Sequence, residues 1–190
     1  MNIQEYENII IPMLNPSIAS MQTMERMGYL IGKFSSEVGE TCGEFCKKMF
    51  HGKNISREKF VDELGDIIWY YIHITREFSE DTKNKLQEIL KISPKKAHIS
   101  DESILADFMI LFTHIGKLSQ IYLTGKCTNQ QDLETHAVDI VKNIGQIIST
   151  TIAEMQISLE EIITYNVDKL SKRYDGTSYK SSFYKTSQTN

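Results

Sequence analysis

The chain has 190 residues, of which 41% are hydrophobic and 24% are charged, so it is long enough to bury one well-filled core. Its formal net charge of −4 excludes a broad basic face of the kind that holds nucleic-acid backbones, and no stable nucleic-acid binding is expected. The sequence begins without the pattern of a signal peptide, and no apolar run approaches the roughly 18 residues that span a bilayer, which predicts a cytoplasmic protein without a membrane partner.

Apolar residues spaced by three and four predict helices along most of the chain. Asn15 followed by Pro16 is a helix start, and the apolar period predicts one long helix from there to about Gly52. Ser56 is placed to cap a second helix with the same period. The polar stretch 79–100 then predicts a connection.

Three further helices are predicted in the second part of the chain. Two of them cover residues 101–123 and about 133–155, where apolar residues again follow the helical period. Ser158 and Glu161 form a capping-box pattern that opens the last helix. Residues 176–190 are rich in Ser and Thr without this period and are expected to form a flexible tail, or an arm whose structure depends on a partner. The sequence therefore predicts an all-α bundle of long antiparallel helices.

Two pairs of carboxylates, each three residues apart, stand on the first two long helices. Glu37 and Glu40 form the first pair, and Glu63 and Asp66 form the second. Because residues at i and i+3 share a helix face, two such pairs on neighbouring antiparallel helices predict one cluster of four acids. Such a cluster repels itself unless cations neutralise it, and oxygen ligands without His or Cys favour Mg²⁺, with Mn²⁺ as the alternative.

This arrangement of E-x-x-E, a linker and E-x-x-D resembles the signature of the MazG-like all-α nucleotide pyrophosphohydrolases, which are relatives of the dimeric dUTPases. The likeness covers roughly residues 20–80 and 130–175. It implies that Glu37, Glu40, Glu63 and Asp66 bind Mg²⁺ while water attacks the α-phosphorus of a nucleoside triphosphate, either NTP or dNTP. The products would be the nucleoside monophosphate and pyrophosphate, with Glu37 or Glu40 helping to deprotonate the water.

The last helix carries a polar stripe that is suited to phosphate. Asn166, Lys169 and Arg173 are spaced i, i+3 and i+7, so they share one side of the helix and are predicted to bind the substrate. A basic last turn favoured by the helix dipole is the alternative interpretation. Tyr70 matches a family position that contacts the nucleotide, and core packing is the alternative for this ring.

The second part of the chain repeats the apolar frame of the first. Residues 34–45 resemble 111–122, and 61–68 resemble 141–148, with the glycines in register. The positions of the four acids are taken by other side chains in the second copy: His114, Lys117, Asn143 and Gln146. The pattern predicts a degenerate tandem duplication, for which chance similarity between helices is the alternative.

The duplication predicts one MazG-like domain over residues 1–175, with a catalytic half at about 16–80 and a degenerate half at about 101–175. The family usually buries its helix pairs against a partner subunit, so the resemblance implies a homodimer or a monomer with an internal pseudo-dimer.

Three other functions are alternatives to a broad nucleoside triphosphate pyrophosphohydrolase. A narrow-specificity enzyme would use the same chemistry on dUTP, dCTP or phosphoribosyl-ATP. A non-catalytic helical module would keep only the nucleotide pocket. A di-iron carboxylate bundle requires Glu-x-x-His pairs, and the chain contains none.

Overall fold

The described part of the chain, residues 1–91 and 100–174 of a computed structural model, is helical and contains no strand. The prediction of an all-α fold is therefore confirmed for these residues, while the predicted tail 176–190 lies outside them. Nine α-helices are described: α1 (Ile3–Ile10), α2 (Pro16–Ala19), α3 (Thr23–His51), α4 (Arg57–Thr75), α5 (Glu80–Glu88), α6 (Asp101–Leu123), α7 (Gln130–His136), α8 (Val138–Glu154) and α9 (Leu159–Tyr174).

The centre of the bundle is α3, which packs between α4 and α6. The ring of Phe45, late in α3, lies 4.5 Å from the ring of Phe60, early in α4. Lys48, near the end of α3, forms an ion pair of 2.6 Å with Asp101 at the start of α6. Both contacts join the end of one helix to the start of the next, so α3 runs antiparallel to both neighbours.

Two more long helices pack against this group. On one side α8 packs against α6, and the Thr151 hydroxyl lies 3.3 Å from the Asp107 carboxylate. On the other side α9 packs against α4, and Arg57 pairs with Glu161 at 2.8 Å near the start of both helices. The helix α1 lies against α9. Helix α8 also contacts α4, because Gly145 lies against the hydroxyl of Tyr71. Helices α3, α4, α8 and α6 therefore close into a four-helix bundle, and α9 lies outside it, parallel to α4.

Buried apolar side chains form one continuous cluster that joins all the long helices. Burying one such side chain contributes roughly 1.5–3 kcal/mol to the free energy of unfolding. Its largest buried aromatic members come from α1, α3, α4 and α6 and are Tyr6, Phe34, Phe45, Tyr71 and Phe108. The catalytic and degenerate parts predicted from the sequence thus share one core.

Side-chain caps define several helix starts. The side chains of Asn15 and Ser56 accept the backbone N–H groups of Ser17 and Lys59. The hydroxyl of Ser158 accepts the N–H of Glu161 at 3.0 Å. The three predicted caps are therefore present.

The first long helix starts later than predicted, because the chain breaks between α2 and α3. The Arg26 guanidinium donates to the carbonyl oxygens of Ala19 and Met21 at 3.2 and 2.5 Å, and Glu77 holds it with two further bonds. Arg26 thus satisfies carbonyl groups that a continuous helix would have bonded internally. This boundary depends on the ion pair between Arg26 and Glu77, which are 51 residues apart, and helical periodicity does not indicate it.

Two other boundaries differ from the prediction. The stretch 79–100 contains α5, whose buried face includes Lys83 and Gln87 and is too polar for the apolar period to indicate a helix. The helix predicted over 133–155 is divided at Ala137 into α7 and α8. Asn129 caps α7, so that helix also begins earlier than predicted.

The most apolar helix is α6. By length and composition it is sufficient to cross a membrane, with a mean hydropathy of 1.3 over its best 18-residue window. Met109 and Ile110 on its outer side are about half exposed, at 51% and 48%. The expectation that no segment is apolar enough to span a bilayer is therefore wrong for α6 on composition, while its packing between α3 and α8 is that of a bundle helix.

Candidate metal centre

Three of the four predicted ligands converge where α3 meets α4. One carboxylate oxygen from each of Glu37, Glu63 and Asp66 lies within 4.8 Å of the other two. Glu63 and Asp66 are one turn apart on α4, and Glu37 reaches them from α3. The spacing in sequence and the packing of two helices together produce this cluster.

Glu40, the fourth predicted ligand, lies outside the cluster. It is exposed on α3, and its Oε1 lies 3.4 Å from the hydroxyl of Ser36. It nevertheless lines the same cavity as Glu37 and Asp66. Its carboxylate therefore faces the space beside the cluster.

The three carboxylates fit a small hard cation. Mg²⁺ binds oxygen at about 2 Å, so ligands on opposite sides of the ion are about 4 Å apart. Of three ligands on one octahedral ion, at least two pairs are adjacent, with oxygens about 3 Å apart, so oxygens that lie within 4.8 Å of one another would have to approach by up to about 2 Å. All three donors are carboxylate oxygens, which select Mg²⁺ or Mn²⁺ over softer metals.

Burial and repulsion within the cluster act on Glu37. Burial raises the pKa of Glu37 to about 7, and the charges of Asp66 and Glu40 add to this shift, while Lys33 opposes it. Glu63 is buried and forms an ion pair with Lys59 one turn earlier on α4. A bound cation would relieve this repulsion.

Lys169 on α9 neutralises Asp66. Its Nζ lies 2.7 and 2.8 Å from the two carboxylate oxygens of Asp66 and 2.6 Å from Oδ1 of Asp62. Burial lowers the pKa of Lys169, but the two aspartates outweigh this effect and raise it above its usual value. Lys169, which was predicted to bind phosphate, therefore pairs with Asp62 and Asp66 in this structure.

Asn166 supports Asp66 from behind. Its side chain is completely buried, and its Nδ2 donates to Oδ1 of Asp66 at 3.1 Å. The hydroxyl of Tyr6 in turn donates to Oδ1 of Asn166 at 2.8 Å. Asn166 therefore lies on the inner side of α9 against α4, where it holds Asp66 and does not line the cavity, and substrate binding by Asn166 stays a prediction.

A cavity of about 600 Å³ opens beside the cluster. Its walls come from α3, α4 and α9, together with the segment around α2. Glu37, Glu40 and Asp66 contribute the acidic part of the wall. The remaining functional groups are two cations and four aromatic rings, namely Lys33, Arg173, Tyr29, Trp69, Tyr70 and Tyr174.

Two predicted substrate-binding residues, Tyr70 and Arg173, lie on this cavity wall. Sequence reasoning missed Lys33, although its position one turn before Glu37 was a usable signal. It also missed Trp69, which is adjacent to Tyr70. No sequence pattern indicated that the segment around α2 lines the cavity, because this depends on how the segment folds back over α3.

Trp69 and His73 form a neutral aromatic pair next to the cavity. Their ring centroids are 4.1 Å apart, and burial lowers the pKa of His73 to about 3. Within the described residues, neither Nε1 of Trp69 nor Nε2 of His73 has a hydrogen-bond partner. A buried donor of this kind is a candidate for pairing with a ligand acceptor.

Comparison of the chain with protein-family models, with curated proteins and with solved structures gives no match. The functional conclusion therefore depends on the side chains described above. Together they can hold a divalent cation, bind polyphosphate oxygens and pack against a flat ring.

Proposed function

We propose that this protein is a Mg²⁺-dependent pyrophosphohydrolase of nucleoside triphosphates, either NTP or dNTP, of the MazG-like all-α type. The observation that carries the proposal is the meeting of Glu37, Glu63 and Asp66 within 4.8 Å beside a cavity of about 600 Å³. The cavity combines acids, cations and aromatic rings, which match the metal, the phosphates and the base of a nucleotide.

Each part of the nucleotide has a matching part of the wall. Arg173 and Lys33 supply the positive groups for phosphate oxygens, and the Arg173 fork is suited to two parallel bonds. Tyr29, Trp69 and Tyr70 offer flat apolar surface for the base. The acidic cluster lies on the same wall, so the phosphates are the part of the nucleotide that faces the cation.

The chemistry assigned to this site is hydrolysis at the α-phosphorus. The oxygen of water forms a bond to that phosphorus, the bond to the bridging α–β oxygen breaks, and pyrophosphate leaves. When bound, Mg²⁺ neutralises phosphate charge and makes a coordinated water more acidic. Glu40 accepts the proton of the water in this scheme, because it lines the cavity outside the three-acid cluster.

The degenerate tandem duplication belongs to the same proposal. The pairs α3–α4 and α6–α8 are both antiparallel, and equivalent glycines have like environments. A Cβ added at Gly39 or Gly116 would meet nothing within 4 Å, whereas one at Gly65 or Gly145 would meet a side chain at under 3 Å. The second pair serves as scaffold in this view, and it makes the monomer an internal pseudo-dimer.

The decisive experiment is a panel of NTPs and dNTPs with Mg²⁺, scored for release of both pyrophosphate and nucleoside monophosphate. Turnover of at least one substrate is expected, with loss in EDTA and recovery with Mg²⁺ or Mn²⁺. Activity confined to dUTP or dCTP would identify the narrow-specificity enzyme. Nucleotide binding without release would instead favour the non-catalytic module, and neither binding nor release would refute the proposal.

A further inference from the structure

The ammonium group of Lys169 lies where a cation would otherwise balance Asp66. It contacts both oxygens of that carboxylate, and Asn166 adds a second donor to Oδ1. The Oδ1 atom therefore has donors for both of its lone pairs. Oδ2 has one of its two lone pairs engaged by Lys169. A cation that binds Asp66 must compete with this ion pair.

Lys169 does not belong to the cavity wall. The cavity is lined from α9 by Leu170, Arg173 and Tyr174, which follow Lys169 in the chain. The Lys169 side chain points instead toward α4, where it is 20% exposed. Its partners in this structure are the carboxylates of Asp62 and Asp66. These ion pairs account for a positive charge at this position, and no phosphate ligand is needed to explain it.

Asp62 is a second ion-pair partner for Lys169. It lies one helical turn before Asp66 on α4, and its Oδ1 already accepts a bond of 2.6 Å from the same ammonium group. Lys169 can therefore release Asp66 while it keeps Asp62.

The geometry points to Lys169 as an internal counterion that competes with the metal for Asp66 and moves onto Asp62 when the cation binds. This inference rests on the proposed function, because it concerns regulation of the same metal centre. Lys169 stabilises the cation-free protein and, by the same contacts, weakens its affinity for a cation. The centre is then filled at a higher cation concentration than its carboxylates alone would require.

The test measures cation binding without nucleotide. Trp69 is the only tryptophan in the chain and lines the cavity beside the acids, so it can sensitise the luminescence of bound Tb³⁺. Titration with Tb³⁺ and displacement by Mg²⁺ give both dissociation constants. Lys169→Met removes the competing charge and should bind each cation at least about tenfold more tightly than the wild type.

Lys172→Met is the matched control. Lys172 is exposed on the same helix, so its replacement changes the net charge equally without touching Asp66. Its cation affinity should stay within about threefold of the wild type. Lys169→Arg is a second variant that keeps the charge, and its fork should hold Asp66 at least as firmly. It should therefore bind the cation no more tightly than the wild type.

The outcomes separate this inference from the function. Equal or weaker cation binding by Lys169→Met, or tighter binding by Lys169→Arg, would overturn the counterion assignment even if the enzyme is active. If Lys169→Met folds only with Mg²⁺, its cation-dependent folding supports the assignment. A wild type that binds no cation refutes the metal centre itself, whereas cation binding without nucleotide turnover refutes only the enzymatic proposal.

Discussion

At the scale of a single residue, burial and neighbouring acids change the acidity of Glu37. Its pKa rises from 4.5 to about 7, first because of burial and then because of neighbouring acids. The folded protein therefore binds this proton more tightly than the unfolded chain does. As a consequence, the free energy of unfolding falls as the pH rises from about 4.5 to about 7, and the loss is complete above that range.

Glu37→Gln should remove this pH-dependent loss. A shift of this size corresponds to about 3 kcal/mol, which solvent screening at a partly exposed carboxylate reduces to about 1–2 kcal/mol. In EDTA, urea unfolding should show the variant more stable than the wild type by that amount at pH 8 and equally stable at pH 4. Glu25→Gln, at an exposed position of α3, is the control. A pH-independent difference would contradict the assigned environment of Glu37.

At the scale of helices, the packing of α9 on α4 depends on one glycine. A Cβ at Gly65 would lie 2.9 Å from Nδ2 and 3.0 Å from Cβ of Asn166, which is itself fixed by Tyr6. Gly39, the glycine of the other acidic pair, has nothing within 4 Å of this position. Two glycines at equivalent positions of the two acidic pairs thus differ in how closely another helix approaches them.

Alanine at these two glycines should therefore change stability in opposite directions. Gly65→Ala forces α9 away from α4 and should lower the free energy of unfolding by about 1–3 kcal/mol. Gly39→Ala only improves helix propensity and should raise it by up to about 1 kcal/mol. Urea unfolding of both variants in EDTA measures the difference, and a change of the same sign in both would contradict the close approach of Asn166 to Gly65.

Local patterns predicted the long helices and the acidic pairs, because both follow from spacing within one helix, whereas α5 and the breaks that follow α2 and α7 were not predicted. The i, i+3 positions of Glu63 and Asp66 are such a case. Contacts between distant helices were not predictable in this way. The stripe on α9 was recognised, but whether Lys169 faces phosphate or Asp66 depends on how α9 packs against α4. Arg26 likewise ends α2 through a contact with Glu77 that no local pattern contains.

At the scale of the whole molecule, the duplication proposal assigns unequal chemistry to equivalent positions. Glu40 and Asp66 line the cavity, whereas the cavity walls include neither Lys117 nor Gln146, which occupy the equivalent positions in the second half. Glu40→Gln and Asp66→Asn should each reduce kcat by orders of magnitude. In EDTA the melting temperature should hold for Glu40→Gln, whereas Asp66→Asn loses the ion pair with Lys169 and should melt at a lower temperature.

Lys117→Ala and Gln146→Ala should change kcat by less than about tenfold, which is under about 1.4 kcal/mol in the barrier. All four variants are compared by kcat and by melting temperature with and without Mg²⁺. Equal losses in kcat from both halves would mean that α6 and α8 also line the active site, and the scaffold assignment would be wrong.

The bond between Tyr6 and Asn166 joins residues separated by 160 positions in the chain. During translation, α3 and α4, with all the predicted metal ligands, are synthesised long before α9. A nascent chain at that stage holds the carboxylates without Lys169 and without the cavity wall that Arg173 and Tyr174 provide. A chain that lacks α9 thus lacks part of the cavity wall, and under the proposed function hydrolysis would require the finished molecule.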